Sequence, residues 1–312
     1  MRRIGIISAH HDEDWHAQRF ALAAARFGRV DVIAPTDFAA DVCPGAPRVT
    51  IAGVDSRAYD LLLTPRALGD EGDADVQLEL YRVLAASGVR LVNDIGPLLV
   101  AIDKFRTSWE LARAGVPTPA ARVVQTATQA RAALAALGDA VAKPLYGSLG
   151  LGVEPIAVGD EARALELLAE RGALYLQARV ADVRLDLRLF VVGRRVEAAV
   201  ARRPRAGDFR GNFACDAEQS SIDLGAIDDD VARIAVAACR AVGLDYAGVD
   251  LVVGARGPEV IEVNGTPSFR AIYELGGRDM APAIVAYAVD DRTFTQSASE
   301  SVNEQSRQHE RA

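Results

Sequence analysis

Two β-branched runs near the C-terminal end, residues 249–253 and 259–263, flank a break that carries Gly254, Gly257 and Pro258. Val249, Leu251 and Val253 share one face at period two, and the two runs with their break predict an antiparallel hairpin with a five-residue break. If Val253 faces Glu259, the same register puts Asp250 opposite Glu262, with Asn264 on their face. Directly opposed residues lie about 5 Å apart at Cβ. Two carboxylates and a carboxamide then converge beside an apolar face.

Upstream, short apolar runs alternate with helical periodicity. Strands are expected at 4–8, 30–34, 61–63 and 90–92, and helices at 14–27 and 76–86. That spacing predicts a small open parallel α/β domain over residues 1–92. Ligands of such domains collect at the carboxyl ends of the strands, which here carry His10-His11-Asp12 and Thr64-Pro65-Arg66. Residues 98–114 read as one amphipathic helix, with Ile102, Phe105, Trp109 and Ala112 as its apolar positions and Asp103-Lys104 inside it. A strand at 122–125 and an Ala-rich helix at 127–137 follow. Further strands are expected at 173–180, 186–192 and 196–200, and helices at 161–170, 228–242 and 282–289.

Composition narrows the class. The chain has 312 residues, 50% hydrophobic and 25% charged, as soluble multi-domain proteins do. A net charge of −8 argues against bulk nucleic-acid or membrane binding. Cys43, Cys215 and Cys239 are far apart, which suits a reducing compartment. The N-terminus does not read as a signal peptide, and no stretch approaches the ~20 apolar residues of a membrane span. The expectation is a cytoplasmic protein, with residues 291–312, rich in Ser, Gln, Glu and Arg, as a disordered tail.

Candidate chemistry lies in four places. Asp250, Glu262 and Asn264 offer hard oxygen donors with no His or Cys beside them, which suits Mg²⁺ and less often Mn²⁺; the alternative is a solvated strand face. Lys143 ends a strand ahead of the glycine loop at 147–152. The lysine precedes the loop, so this is neither a P-loop nor a dinucleotide fingerprint. Without a Cβ, backbone N–H groups can still close around phosphate, although a plain hairpin turn reads the same way. His10, His11 and His16 cluster with Asp12, Glu13 and Asp14, and substrate contact, a transition-metal site and a polar loop all remain open. Arg202, Arg203, Arg205 and Arg210, with Asp208 and Asn212, form either a solvated face or a site for phosphates and carboxylates.

In combination, several motifs resemble the ATP-grasp ligases. They are Asp103-Lys104, Lys143 with its glycine loop, Gln177, Asp186-Leu-Arg188, Gly207-Asp-Phe-Arg-Gly-Asn212, Gly243-Leu-Asp-Tyr-Ala-Gly-Val-Asp250 and Glu262-Val-Asn264. Among those ligases the chain is similar to the RimK-like amino-acid ligases. The resemblance covers about residues 1–290 and implies an α/β (α+β) chain with the ATP-grasp fold. It also implies a parallel α/β pre-ATP-grasp domain at 1–92, a central lid subdomain at 93–172 and a C-terminal subdomain with the metal hairpin at 173–290.

By the same resemblance, Lys104 and Lys143 would contact ATP phosphates, beneath a loop that includes Gly147, Ser148, Gly150 and Gly152. Gln177, Ala178, Arg179 and Val180 would be the linker that reads adenine, and Asp186 would sit near the ribose. Arg210 and Asn212 would reach phosphate, with Arg210 and Lys143 acting on the reacting groups. Asp250, Glu262 and Asn264 would hold two Mg²⁺. The activity implied is amide formation from a carboxylate and an amine through an acyl-phosphate, by a homo-oligomer, a dimer or a tetramer.

Two departures from the family pattern stand out, the first at the adenine linker, whose backbone bonds do not need particular side chains, and the second near the substrates. Ala178-Arg179 follow Gln177 where relatives often carry Glu or an aromatic residue. Asn212 is followed by Phe213-Ala-Cys-Asp-Ala-Glu218 rather than a basic glycine-rich run, which points away from a ribosomal-protein substrate. Arg203, Arg210 and Arg270 suit a substrate carboxylate, and His10, His11 and Arg66 suit the acceptor. Glutamate joined to a small carrier of tetrahydromethanopterin or methanofuran type is the leading expectation, with a peptide or carrier protein as the alternative acceptor. A phosphotransferase and a silent nucleotide-binding module are the alternatives of another class.

Overall fold

A computed structural model describes residues 1–10, 13–66, 68, 71–147, 151–203 and 218–290. The first part runs β1 (Arg2–Ser8), α1 (Trp15–Ala24) and β2 (Gly28–Ile33). Three short antiparallel strands follow, β3 (Phe38–Asp41), β4 (Arg48–Ile51) and β5 (Val54–Asp55), which the apolar pattern did not predict. Next come β6 (Leu61–Arg66), α2 (Ala74–Ala86) and β7 (Leu91–Val92). The main sheet has the order β2-β1-β6-β7 and all its pairings are parallel, as expected. Ile4, Ile6 and Ile7 of its inner strand are wholly buried, as a parallel strand covered on both faces requires.

The single helix expected over 98–114 is two, α3 (Ile95–Ile102) and α4 (Lys104–Arg113). Asp103 separates them, with φ −96° and ψ 108°. Its carboxylate accepts the N–H groups of Phe105 and Arg106 at 2.9 and 3.0 Å. A short acidic side chain competes for backbone donors, so it caps a new helix rather than continuing the old one. The expected apolar face also turns outward. Ile102, Phe105 and Trp109 are exposed, whereas Thr107 and Leu111 are buried.

The second sheet contains β8 (Ala121–Val124), β9 (Ala140–Lys143), β10 (Glu154–Ile156) and β11 (Leu174–Ala178) in the order β10-β9-β11-β8. Helices α5 (Ala127–Leu137) and α6 (Glu161–Arg171) pack with it. A boundary at 172/173 would cut this sheet, because β11 pairs with β8 and β9 and not with the strands that follow.

The third sheet has the order β14-β13-β12-β15-β16. Its strands are β12 (Leu185–Val192), β13 (Arg195–Arg203), β14 (Glu218–Ile222), β15 (Tyr246–Gly254) and β16 (Gly257–Asn264). Helix α7 (Asp229–Val242) buries Val231, Ile234, Ala235, Ala238 and Val242, the positions its 3.6-residue period selects. The chain closes with α8 (Arg270–Gly276) and α9 (Ala281–Val289). Among the described residues, no helix is long and apolar enough to cross a membrane. The expected tail at 291–312 lies outside the described residues.

Asn93 ties the first sheet to the third. Its buried carboxamide donates to the carbonyls of Tyr246 and Gly265 at 2.9 and 2.7 Å. The same group accepts the N–H groups of Asp245 and Tyr246 at 2.7 and 3.1 Å. All four of its hydrogen-bonding positions are thus used.

Candidate active site

The hairpin of β15 and β16 brings Asp250 opposite Glu262, as the sequence predicts, but by a different route. Near the turn the register is one residue shorter than expected, with Val253 opposite Pro258 and Val252 opposite Glu259. The five-residue break shrinks to Ala255 and Arg256, because Gly254 and Gly257 pair and Pro258 joins the edge strand β16, where a missing N–H is tolerated. A bulge at Ile261 restores the phase before Glu262. Ile261 and Glu262 therefore both line one cavity, which strict alternation forbids and a bulge permits.

That cavity, of about 970 Å³, opens between the second and third sheets. Val141, Lys143 and Gln177 line it from one side, and Asp186, Arg202, Asp250, Val252 and Glu262 from the other. Leu137, Val153 and Val158 add apolar wall, and the chain from Ala178 to Val183 crosses its edge.

Lys143 donates to Gln177 Oε1 at 2.6 Å. Burial pulls the Lys143 ammonium down to about 8; Glu262 opposes that effect and Lys104 adds to it. Gln177 is buried, and its Nε2 group has no hydrogen-bond partner among the described residues. A buried donor left unpaired costs about 1–3 kcal/mol, so this N–H fits an acceptor on a bound molecule. The helix break at Asp103 aims Lys104 into the same space. Its Nζ donates to Gly147 O at 2.6 Å and lies 3.5 Å from Glu262 Oε1.

The linker differs in part from expectation. Ala178 N–H donates to Ala120 O and Arg179 N–H to Asp139 O, both at 2.8 Å. These donors are committed to neighbouring strands, so a bound base must use other linker groups. The linker lies hard against β15: a Cβ on Gly254 would meet Val180 Cγ1 at 2.6 Å and Ala181 O at 2.7 Å.

Asp250 is 2% exposed, and both of its oxygens are held. Arg188 Nε donates to Oδ1 at 2.7 Å and Arg188 Nη2 to Oδ2 at 2.8 Å. Arg202 Nη1 also donates to Oδ2, at 2.8 Å, and its Nε bonds Asp186 at 2.9 Å. Burial works to raise the Asp250 carboxyl, yet Arg188 and Arg202 outweigh it and hold it well below the usual carboxylate range. Asp186 goes the other way, raised by burial that Arg202 only partly offsets.

The sequence motifs include Arg188 and Arg202, but not their role as the two guanidiniums that hold Asp250. Arg203, the expected substrate contact, is exposed, because successive side chains of β13 alternate faces. The alternation was readable in the sequence; its phase was not.

Asn264 lies two residues beyond Glu262, opposite Gly248, and its Oδ1 accepts Thr266 N–H at 2.9 Å. Asp250, Glu262 and Asn264 form an all-oxygen donor set whose remaining lone pairs fit Mg²⁺. Gly147 and Gly152 take positive φ, 143° and 68°. Ser148, Gly150, Arg210, Asn212 and His11 lie outside the described residues. Arg66 ends β6 opposite Ser8, at the carboxyl edge of the parallel sheet. His10 and Arg270 line a second cavity with Glu13, Asp14, Trp15, His16 and Ser268. Among the described residues, no cluster of three or more His, Cys, Asp or Glu suits a metal ion.

Comparison with known proteins gives the family and the fold. The RimK-like ATP-grasp domain matches residues 101–288. The tetrahydromethanopterin:alpha-L-glutamate ligase of Methanosarcina acetivorans is 28% identical, over 92% of this chain and 98% of its own length. The ribosomal protein bS6–L-glutamate ligase of Salmonella schwarzengrund is 30% identical, over 88% and 91%. The ATP-grasp ligase PsnB, solved with a minimal precursor, Mg and ADP, superposes with a TM-score of 0.69 at 18% identity, over 92% of this chain and 97% of that one.

Proposed function

The chain belongs to the RimK-like ATP-grasp family and is an ATP-dependent carboxylate–amine ligase, and we propose that it joins glutamate to a small, cofactor-like acceptor. One observation carries the ATP reading. Lys104, Lys143 and the unpaired Gln177 donor share a single cavity with Asp250 and Glu262. A polyphosphate brings the negative charge and acceptors that those groups lack, and the apolar wall suits a purine.

Lys104 and Lys143 bind the ATP phosphates, and Asp186 sits near the ribose. Asp250, Glu262 and Asn264 would hold two Mg²⁺, with Mn²⁺ as a substitute, which would supply positive charge against the phosphates. The substrate carboxylate attacks the γ-phosphorus, and ADP leaves. An amine then attacks the acyl-phosphate carbonyl, and inorganic phosphate leaves. The protein supplies position and charge rather than a covalent nucleophile. The loop at 147–152 and Arg210 complete the site in this reading.

The small acceptor is favoured by the Methanosarcina relative, which matches over nearly its whole length, and by the acidic run Phe213-Ala-Cys-Asp-Ala-Glu218. A peptide or carrier-protein acceptor is the second reading, supported by the precursor-bound relative of similar fold. We further place the enzyme in the cytoplasm, as a dimer or tetramer. The test is ADP formation with Mg²⁺ and ATP, screening each amino acid against carboxylate-bearing cofactors and peptides and following products by mass. An amide product heavier by glutamate less water is expected. A phosphorylated product with no amide would overturn the reading in favour of a phosphotransferase.

A further inference from the structure

The second cavity, of about 410 Å³, lies where α1 meets the segment that follows β16. Its wall contains three side chains in line. Ser268 Oγ lies 3.1 Å from His16 Nε2, and His16 Nδ1 lies 3.5 Å from Asp14 Oδ1. Asp14 is buried and is fixed twice more: Ser8 Oγ donates to its Oδ2 at 2.8 Å, and it caps α1 by accepting His16 N–H at 2.9 Å. The His16 ring is held edge-on between Trp15 and Phe269, with centroids 5.1 and 4.8 Å away. An imidazole so clamped, with a buried carboxylate behind one nitrogen and a hydroxyl before the other, is oriented to accept a proton at Nε2.

The segment that carries Ser268 packs beside the strand that carries Asp250. Pro267, next to Ser268, packs against Gly248: a Cβ on that glycine would lie 2.8 Å from Pro267 Cβ and 4.0 Å from Arg188 Cδ. Arg188 is the guanidinium on Asp250. The charges facing His16 also match a zwitterion. Glu13 supplies a negative charge for an ammonium, and Arg270 a positive charge for a carboxylate. Among the described residues Arg270 pairs with Glu274 alone, in an exposed pair at 2.8 Å, and such pairs exchange at little cost. Among the described residues, His10 is the remaining titratable side chain of the wall.

We infer that this cavity seats the incoming amino acid and that His16 takes the proton from its ammonium group. The inference rests on the ligase reading above, because only that reading has an amine step. An ammonium has no lone pair to attack with. One N–H bond breaks, its electron pair stays on nitrogen, and the proton moves to His16 Nε2 as the Ser268 hydroxyl swings aside. The resulting imidazolium is stabilised by Asp14. The free amine then attacks the acyl-phosphate carbonyl. The C–O bond to phosphate breaks, phosphate leaves with that electron pair and takes the second proton from nitrogen, and His16 returns its proton to water.

The test compares two amines on the full-length enzyme with ATP, Mg²⁺ and tetrahydromethanopterin as the carboxylate probe. Glutamate arrives as an ammonium. Hydroxylamine is uncharged at neutral pH and traps the same acyl-phosphate as a hydroxamate without a base. His16→Gln keeps a hydrogen-bonding partner for Ser268 but cannot act as this base. It is expected to lose at least about 100-fold in kcat/KM for glutamate, with hydroxamate formation and the KM for ATP within about threefold of wild type. Asp14→Asn, which keeps the cap acceptor, should show a smaller loss of the same selectivity, and Arg270→Met should raise the KM for glutamate alone. Equal falls with both amines, or no fall with either, would overturn the role of His16 and leave the ligase intact. Failure of the wild-type enzyme to form either product would overturn the small-acceptor reading, and this inference with it.

Discussion

Arg202 Nη1 meets Asp250 Oδ2 at 2.8 Å, with side chains only 3% and 2% exposed. The same guanidinium holds Asp186, so one arginine neutralises two buried carboxylates on neighbouring strands. Arg202→Met would leave Asp186 without its guanidinium and Asp250 with Arg188 alone. Removing one partner of a buried ion pair costs about 3–5 kcal/mol. We expect a loss of that size in urea denaturation, together with loss of ligase turnover.

Lys143 gives a pH dependence with a definite sign. Its ammonium titrates near 8 in the folded chain, against 10.5 when exposed. ATP affinity should therefore fall as pH rises from 7 to 9, as the cation facing the phosphates is lost. Lys143→Met should bind ATP weakly and lose most of that slope. Over the window from about 8 to 10.5 the native state holds fewer protons than the unfolded chain, so this group makes folding stability rise with pH there. Nucleotide titrations by calorimetry across this range provide the check.

Glu262→Gln removes a charged oxygen donor beside Lys104 without changing shape. Ligation should fall at least about 100-fold, as when a strong electrostatic stabiliser is lost. The Mg²⁺-dependent rise in melting temperature measured with ADP should shrink in parallel. Chelation of Mg²⁺ should bring the wild-type enzyme to the same state.

Gly254→Ala tests how the linker is seated. The new Cβ would lie 2.7 Å from Ala181 O, a backbone atom that cannot rotate away. The linker must shift, so the KM for ATP should rise about tenfold, about 1.4 kcal/mol of binding, with little change in the KM for the amino acid.

Asn93→Ala removes four hydrogen bonds between the first and third sheets and strands buried peptide groups. A loss of at least about 3 kcal/mol in global stability is expected from the unpaired donors and acceptors. Equilibrium denaturation measures it.

What could be read from the chain followed from local rules. The face of α7, the parallel sheet of the first domain and the Asp250–Glu262 pairing all come from periods of 3.6 or 2 and a turn signal. What could not be read depends on phase or on distant partners. The bulge at Ile261 has no side-chain signature in a β-branched run. Arg188 meets Asp250 only because β12 pairs with β15, 62 residues on. Periodicity found an apolar face at Ile102, Phe105 and Trp109 but could not tell that it turns outward. One missed signal was available: Asp103 interrupts the apolar period, and a short acid there marks a cap as readily as an exposed helical position.

The bulge at Ile261 uncouples the two halves of the hairpin. The half that carries Asp250, Glu262 and Asn264 takes its alternation from β12 and from the bulge, not from the turn at Ala255 and Arg256. The turn is thus a place where sequence can be inserted. A peptide tag grafted between Ala255 and Arg256 would leave the order of side chains in the catalytic half unchanged, and deletion of Ile261 would leave Glu262 opposite Asp250 in a regular ladder.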